Sequence, residues 1–441
     1  MDLNVSTYGA PSQLRITDIR FTDIVGAPMD CTLIKIMTNQ GITGFGEVRD
    51  FSNKFYALQL KRLLIGENPC NINKIFHKLK QFGGHARQGG GVSGIEVALW
   101  DIAGKAYGVP VYQMLGGKCR DKIRIYCDTD VSGKHTGKDM GMALRKRMDK
   151  GYTIIKMDLG IDLLIDIEDA ICAPLGYVDQ MRSFSQQELS FGITNKSFAE
   201  FMSVPHPFTF VSITEKGLDY LENYVKEVRE VIGYSIPLAI DHIGHVDLSS
   251  CIKLGKRLEK YNIAWMEDCV PWFYTAQWKQ LKEACNVPMC TGEDIYLRKN
   301  FMPLFENQAV SIIHPDVLTA GGIMETKNIV NTAEEYGIAS VIHMAETPVG
   351  CMAAAHVSAS LGDNFVAMEF HSNDVPWWPD IVIGDKPQIK NGFLTLSDKP
   401  GLGIEDLNDE VLKEHMNPKR PGLWLPTNEW DNEWAHDRIW S

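Results

Sequence analysis

From about Lys122 onward, short apolar runs that end in charged residues alternate with longer stretches of helical spacing. The runs are KIRIYC, TIIKMDLG, PLAID, IAWMED, PMCTGED, SIIHPD, ASVIHM and FVAMEF. Between them, segments such as LSSCIKLGKRLEKYN and METKNIVNTAEEYG place apolar residues on one helical face. Eight strand–helix steps are what a closed parallel barrel requires. An open doubly wound sheet is the alternative, but no Gly-x-Gly-x-x-Gly follows any of these strands. One connection breaks the rhythm, with about 75 residues between KMDLG and PLAID. An insertion near 160–212 lies on the face where barrels build their active sites, so it either covers a substrate or makes an oligomer contact.

Before Lys122 the pattern differs. LRITDIRFTDIV and CTLIKIMTNQGITGFGEV are rich in β-branched residues and joined by a Gly-Ala-Pro turn, which predicts a meander of strands. NKFYALQLKRLLIG and NINKIFHKLKQFGG then show helical spacing and end in glycine. GGHARQGGGVSG (83–94) reads as a flexible loop leading into the helical IEVALWDIAGKAYG. Strands followed by helices make an α+β module. The expected divisions are 1–121, 122–370 for the barrel, and 371–441 for a Trp- and Pro-rich segment returning to the first module.

Composition narrows the function classes. Acidic residues outnumber basic ones, 56 to 44, which argues against nucleic acid or an anionic membrane as the main partner. The ten cysteines are scattered without Cys-x-x-Cys spacing, so free thiols in a reducing cytosol are expected. The N-terminus lacks the charged and apolar regions of a signal peptide, and no apolar run approaches the roughly 20 residues that span a bilayer. A soluble, cytoplasmic protein is the expectation.

Barrel strands are buried, so their charges belong at the ends. Asp241, Glu267 and Glu293 follow one another at intervals of 26 and 26 residues, then Asp316 after 23, His343 after 27 and Glu369 after 26. One strand–helix unit separates each from the next, which sets the six groups in an arc around the barrel mouth. Three converging carboxylates repel unless a cation sits between them, and all-oxygen ligation suits Mg²⁺ before Mn²⁺. The plainer reading of any single carboxylate is a helix N-cap or a loop ion pair. Asp316 and His343 stand on adjacent strands, close enough for the carboxylate to orient the imidazole as a general base. Lys156 and Asp158 share one face of their strand, as a structural ion pair or as part of the site.

These residues resemble the enolase superfamily, mandelate racemase subgroup, from about Leu14 to Glu405. The resemblance rests on VALWDIAGKAYGVPVYQMLGG (97–117), AIDHIG, WMED, TGED, HPDVLTAGGI, SVIHM, AMEF and PGLGIEDL. It implies a modified (β/α)8 TIM barrel with an α+β capping domain built from the N-terminal segment and part of the C-terminal one. It implies Mg²⁺ held by Asp241, Glu267 and Glu293, and removal of a proton α to a carboxylate by His343 with Asp316. Glu369, if protonated, would donate a hydrogen bond to the enediolate. Lys156 matches the first lysine of a Lys-x-Lys motif and would contact the substrate carboxylate. The second lysine, the opposite-face base of racemases, is here Asp158. A single base suffices for β-elimination, so the resemblance points to an acid-sugar dehydratase. A cycloisomerase or epimerase using the same enediolate is the alternative, and a non-enzymatic barrel a third.

Substrate recognition is less specific. Arg49 and Asp50 are candidates for distal substrate groups, and the loop with His85 and Arg87 for a lid. Trp377 and Trp378 either stack on a sugar or pack between cap and barrel. Tyr177 and Arg182 of the insertion are further candidates. The expected partner is a small carboxylate substrate, with self-association into a homo-oligomer.

Overall fold

The computed structural model describes residues 10–84, 89–179, 210–241, 244, 246–433, 436 and 438–439. Its first element is an antiparallel sheet of β1 (Ile16–Ile24), β2 (Cys31–Thr38) and β3 (Thr43–Val48), the meander that the β-branched runs predict. The apolar segments after it form short helices at Phe55–Leu58, Lys61–Leu64 and Ile72–Leu79. The first expected helix is thus split in two, and its second turn carries Lys61 to the Thr427 carbonyl and hydroxyl.

The eight apolar runs become β4 (Ile123–Cys127), β5 (Ile155–Asp158), β6 (Leu238–Asp241), β7 (Ile263–Glu267), β8 (Met289–Thr291), β9 (Ile312–Ile313), β10 (Ala339–Ile342) and β11 (Phe365–Phe370). Every neighbouring pair is parallel, and β11 returns to β4 through Glu369 opposite Tyr126, so the sheet closes. Period-two alternation sorts the side chains. Outward residues such as Ile125, Met157, Ile240 and Met266 join the large core under the helices. Inward, Tyr126, Ile154, Ala239, Trp265, Cys290, Val341 and Ala367 form a separate apolar floor.

The glycine-rich stretch read as a loop departs from expectation. Gly90–Tyr107 is one helix, and its glycines permit contact rather than movement. A Cβ on Gly94 would stand 2.1 Å from the Glu47 carbonyl oxygen, and one on Gly46 2.1 Å from the Gly94 carbonyl oxygen. Helix and β3 therefore touch backbone to backbone, which no larger residue allows. His85 and Arg87, proposed for a lid, lie outside the described residues.

Ile171–Cys172 pairs with Ser212–Ile213 and draws the ends of the long insertion together. Residues 180–209, Arg182 among them, lie outside the described residues. The C-terminal segment reaches both modules. A hairpin of Ile389–Lys390 and Phe393–Leu394 pairs on β4, and isolated bridges join Thr22 to Leu423 and Ile24 to Met416 on β1. Among the described residues, no helix is long and apolar enough to cross a membrane.

Candidate active site

Two positions beyond the apolar floor, the inward side chains turn polar. Tyr126 gives way to Asp128, Ile154 to Lys156, Ala239 to Asp241, Trp265 to Glu267, Val341 to His343 and Ala367 to Glu369. The barrel thus raises charge on a dry base, where interactions are strong and unpaired groups costly. Lys156 lies at the centre of one half. Its Nζ stands 2.8 Å from Asp241 Oδ2, 2.5 Å from Glu267 Oε1 and 2.7 Å from Glu369 Oε1. Burial pulls its ammonium down, but these carboxylates outweigh that and raise its pKa well above the ordinary lysine value. Glu267 also accepts a 2.6 Å hydrogen bond from Trp265 Nε1. Asp158 ends β5 in register with Asp241.

The other half is built round His343. Its Nδ1 lies 2.7 Å from Asp316 Oδ2, and its Nε2 lies 3.0 Å from Glu293 Oε2 and 3.8 Å from Glu369 Oε2. Asp316 is fixed from both sides. Its Oδ1 caps the short helix Val317–Ala320, accepting from the Leu318 and Thr319 amides, while Oδ2 meets the imidazole. Burial raises the Asp316 pKa, but Arg49 and His343 bring it down to about 2. Burial disfavours charge on His343, yet Glu293 and Glu369 hold its pKa well above the usual histidine range.

Arg49 is enclosed beside the dyad. Its side chain has no exposed surface, and its guanidinium faces inward to Asp316 at 3.2 Å, Asp50 at 2.7 Å and Glu346 at 2.5 Å. So placed, the guanidinium holds the Asp316 carboxylate of the dyad. Glu346 escaped the sequence reading because it lies in an irregular loop after β10 with no periodicity to expose it. Burial and then Asp316 push its carboxyl well above the usual range, against the pull of Arg49.

Glu369 lies between Lys156 and His371. Burial favours its neutral form, but Lys156 and His371 hold its pKa well below the ordinary carboxyl value. His371, not singled out from the sequence, faces Glu369 Oε1 at 3.2 Å and Asp128 Oδ2 at 3.6 Å. The available signal was the two-residue step that carries each inward row upward: Tyr126 to Asp128 and Glu369 to His371. Trp378 is buried, donates to the Glu346 carbonyl at 2.9 Å and packs edge-on to Phe370, so it follows the packing alternative. Trp377 stacks on His415. Tyr177 is buried within the core.

The donor chemistry suits a hard cation. Asp241, Glu267, Glu293, Asp316, Glu346 and Glu369 gather where Lys156 and Arg49 are the permanent positive charges. Asp241 and Glu267 already converge on one ammonium, and Asp268, Glu293 and His314 offer ligand atoms within 4.8 Å of one another. An oxygen-rich, negatively charged cluster of this kind fits a divalent ion of the Mg²⁺ type.

A barrel with acidic groups, a histidine–aspartate pair and a three-stranded cap defines a class of proton-abstracting enzyme folds. Residues 20–116 match the mandelate racemase / muconate lactonizing enzyme N-terminal domain, and 139–410 match the enolase C-terminal domain-like family. The chain belongs to the enolase superfamily, mandelate racemase subgroup. It is 30% identical over 417 residues to a D-xylonate dehydratase of Haloferax volcanii, covering 92% of this chain and 90% of that protein. It is 28% identical over 421 residues to a D-galactonate dehydratase family member of Musicola paradisiaca, covering 92% and 94%. A mandelate racemase/muconate lactonizing enzyme-like protein from Rubrobacter xylanophilus superposes with a TM-score of 0.75 at 28% identity, covering 92% of this chain and 98% of that one.

Proposed function

We propose that this protein is a Mg²⁺-dependent sugar acid dehydratase, a hydro-lyase that converts an aldonic or aldaric acid into a 2-keto-3-deoxy acid. The observation that carries the reading is the His343–Asp316 pair at 2.7 Å beside the carboxylate arc. Support comes from dehydratase relatives matched along nearly their full length. Asp241, Glu267 and Glu293 would hold the ion. The chemistry it supplies when bound is stabilisation of negative charge developing on the substrate carboxylate.

His343 takes the α-proton on Nε2. Asp316 fixes the tautomer through Nδ1 and stabilises the imidazolium that forms. His343 serves as a base only when Nε2 is free of a proton, which requires Glu293 to be engaged elsewhere. Lys156 supplies fixed positive charge toward which the substrate carboxylate is drawn. Asp158, in the place of a second lysine, leaves no strong base there and favours elimination over racemisation. The same reading takes 1–121 as the cap, 122–370 as the barrel and 371–441 as the returning segment. Ten unpaired cysteines support a reducing, cytoplasmic setting.

The test is a screen of aldonic and aldaric acids for 2-keto acid formation, with and without chelator. Turnover is expected to disappear in His343→Asn and on removal of metal. Keto acid formed at the parent rate by His343→Asn removes the mechanism. An epimer or an isomer of unchanged mass, formed without keto acid, replaces dehydration with the alternative reaction.

A further inference from the structure

Two imidazole–carboxylate pairs face each other across Glu369. On one side, Asp316 holds His343 Nδ1, and Nε2 looks toward Glu369 Oε2 at 3.8 Å. On the other, Asp128 Oδ2 lies 3.6 Å from His371 Nδ1, and Nε2 looks toward Glu369 Oε1 at 3.2 Å. The ring centroids are 5.9 Å apart. His371 Nε2 and Glu369 Oε2 are buried without an aligned hydrogen-bond partner, while Glu369 Oε1 is held by ion pairs with Lys156 and His371. Buried polar atoms left so in a native site are the ones a ligand completes. The ring of His371 is also the more open of the two, its side chain 16% exposed against 5% for His343.

We propose that His371, positioned by Asp128, is the general acid that protonates the departing β-hydroxyl. This rests on the dehydratase reading above and changes its economy of protons, because one imidazole no longer performs both transfers. His343 removes the α-proton as the Cα–H bond breaks. The electron pair forms the Cα=Cβ bond, the Cβ–O bond breaks, and the oxygen leaves as water with the proton of His371 Nε2. The enol so formed tautomerises to the 2-keto-3-deoxy acid, and the two imidazoles exchange their protons with solvent, so the balance is sugar acid to keto acid plus water. Glu369, between the rings, keeps the proton on His371 until a hydroxyl arrives. Burial disfavours charge on His371, and Glu369 and Asp128 raise its pKa above the ordinary histidine value, as an acid partner needs.

The experiment compares full-length parent, His343→Asn, His371→Asn and Asp128→Asn on an aldonic and aldaric acid panel that includes D-xylonate and D-galactonate. It also uses 3-deoxy-3-fluoro-D-xylonate, whose fluoride leaves without a proton. His371→Asn is expected to lose about 10²–10⁴-fold in keto acid formation. It should keep exchange of the α-proton in D₂O, expel fluoride at the parent rate and bind Mg²⁺ as the parent does in calorimetry. Asp128→Asn should fall between parent and His371→Asn with hydroxy acids and match the parent with the fluoro acid. His343→Asn should lose exchange and both eliminations. Dehydration by His371→Asn at the parent rate overturns the acid role alone, as does loss of exchange, fluoride release or Mg²⁺ binding in that variant. A parent that forms no keto acid from any panel member overturns the dehydratase reading and this inference with it.

Discussion

The Arg49 side chain has no exposed surface, yet Asp50, Asp316 and Glu346 crowd one guanidinium nitrogen and Glu293 lies 3.6 Å from another. Removing that cation leaves buried charge without compensation, so Arg49→Met is expected to cost about 3–5 kcal/mol of stability. Glu346→Gln should cost about 1 kcal/mol or less, because burial and Asp316 favour the protonated carboxyl that an amide mimics. Urea unfolding of the two variants checks the pair, and an equal loss in both would show Glu346 to be ionised. The strand-end groups were legible one by one through their spacing. Which of them touch was not, because contact across a barrel depends on shear and tilt, which spacing along the chain does not encode. The burial of Arg49 was hidden for a related reason: a charge after a strand shows its enclosure only once a second module is laid over it.

At the scale of elements, eight apolar runs were enough to foretell eight barrel strands, since a buried strand has few other ways to be written. The glycines at 90–94 show where the pattern fails, because freedom to move and absence of a side chain have the same spelling. Helix Pro348–Ala359 carries a comparable hidden feature in His356, whose Nδ1 accepts from the Tyr112 amide at 3.1 Å. Burial pushes this imidazole down to about 3. Its folded pKa lies below its ordinary value of 6.5, so its contribution to stability is complete above about pH 6.5 and is lost as pH falls toward 3. Between pH 7 and 5 the parent should therefore lose up to about 1.4 kcal/mol per pH unit more than His356→Asn. Parallel stability profiles would show the ring to be charged or exposed in the folded protein.

For the whole molecule, the excess of carboxylates over permanent cations in one buried layer means that the proposed ion would add to stability on binding. Mg²⁺ should raise the thermal midpoint, by an amount equivalent to about 2.7 kcal/mol at 100 times its Kd, and a chelator should reverse the gain. The combined variant Asp241→Asn, Glu267→Gln, Glu293→Gln should not respond. A parent indifferent to Mg²⁺ would remove the ion from the proposed function.

The bridges from Thr22 to Leu423 and from Ile24 to Met416 join an early strand to residues far later in the chain. During synthesis β1, an edge of its sheet, emerges long before those partners exist. The newborn chain can pair β1 with β2 and assemble much of the barrel while that edge stays open to strands of neighbouring nascent chains. Sealing the cap waits until that later segment has been made, so a chain stalled or clipped before it is left with an adhesive flank rather than a slightly shorter enzyme.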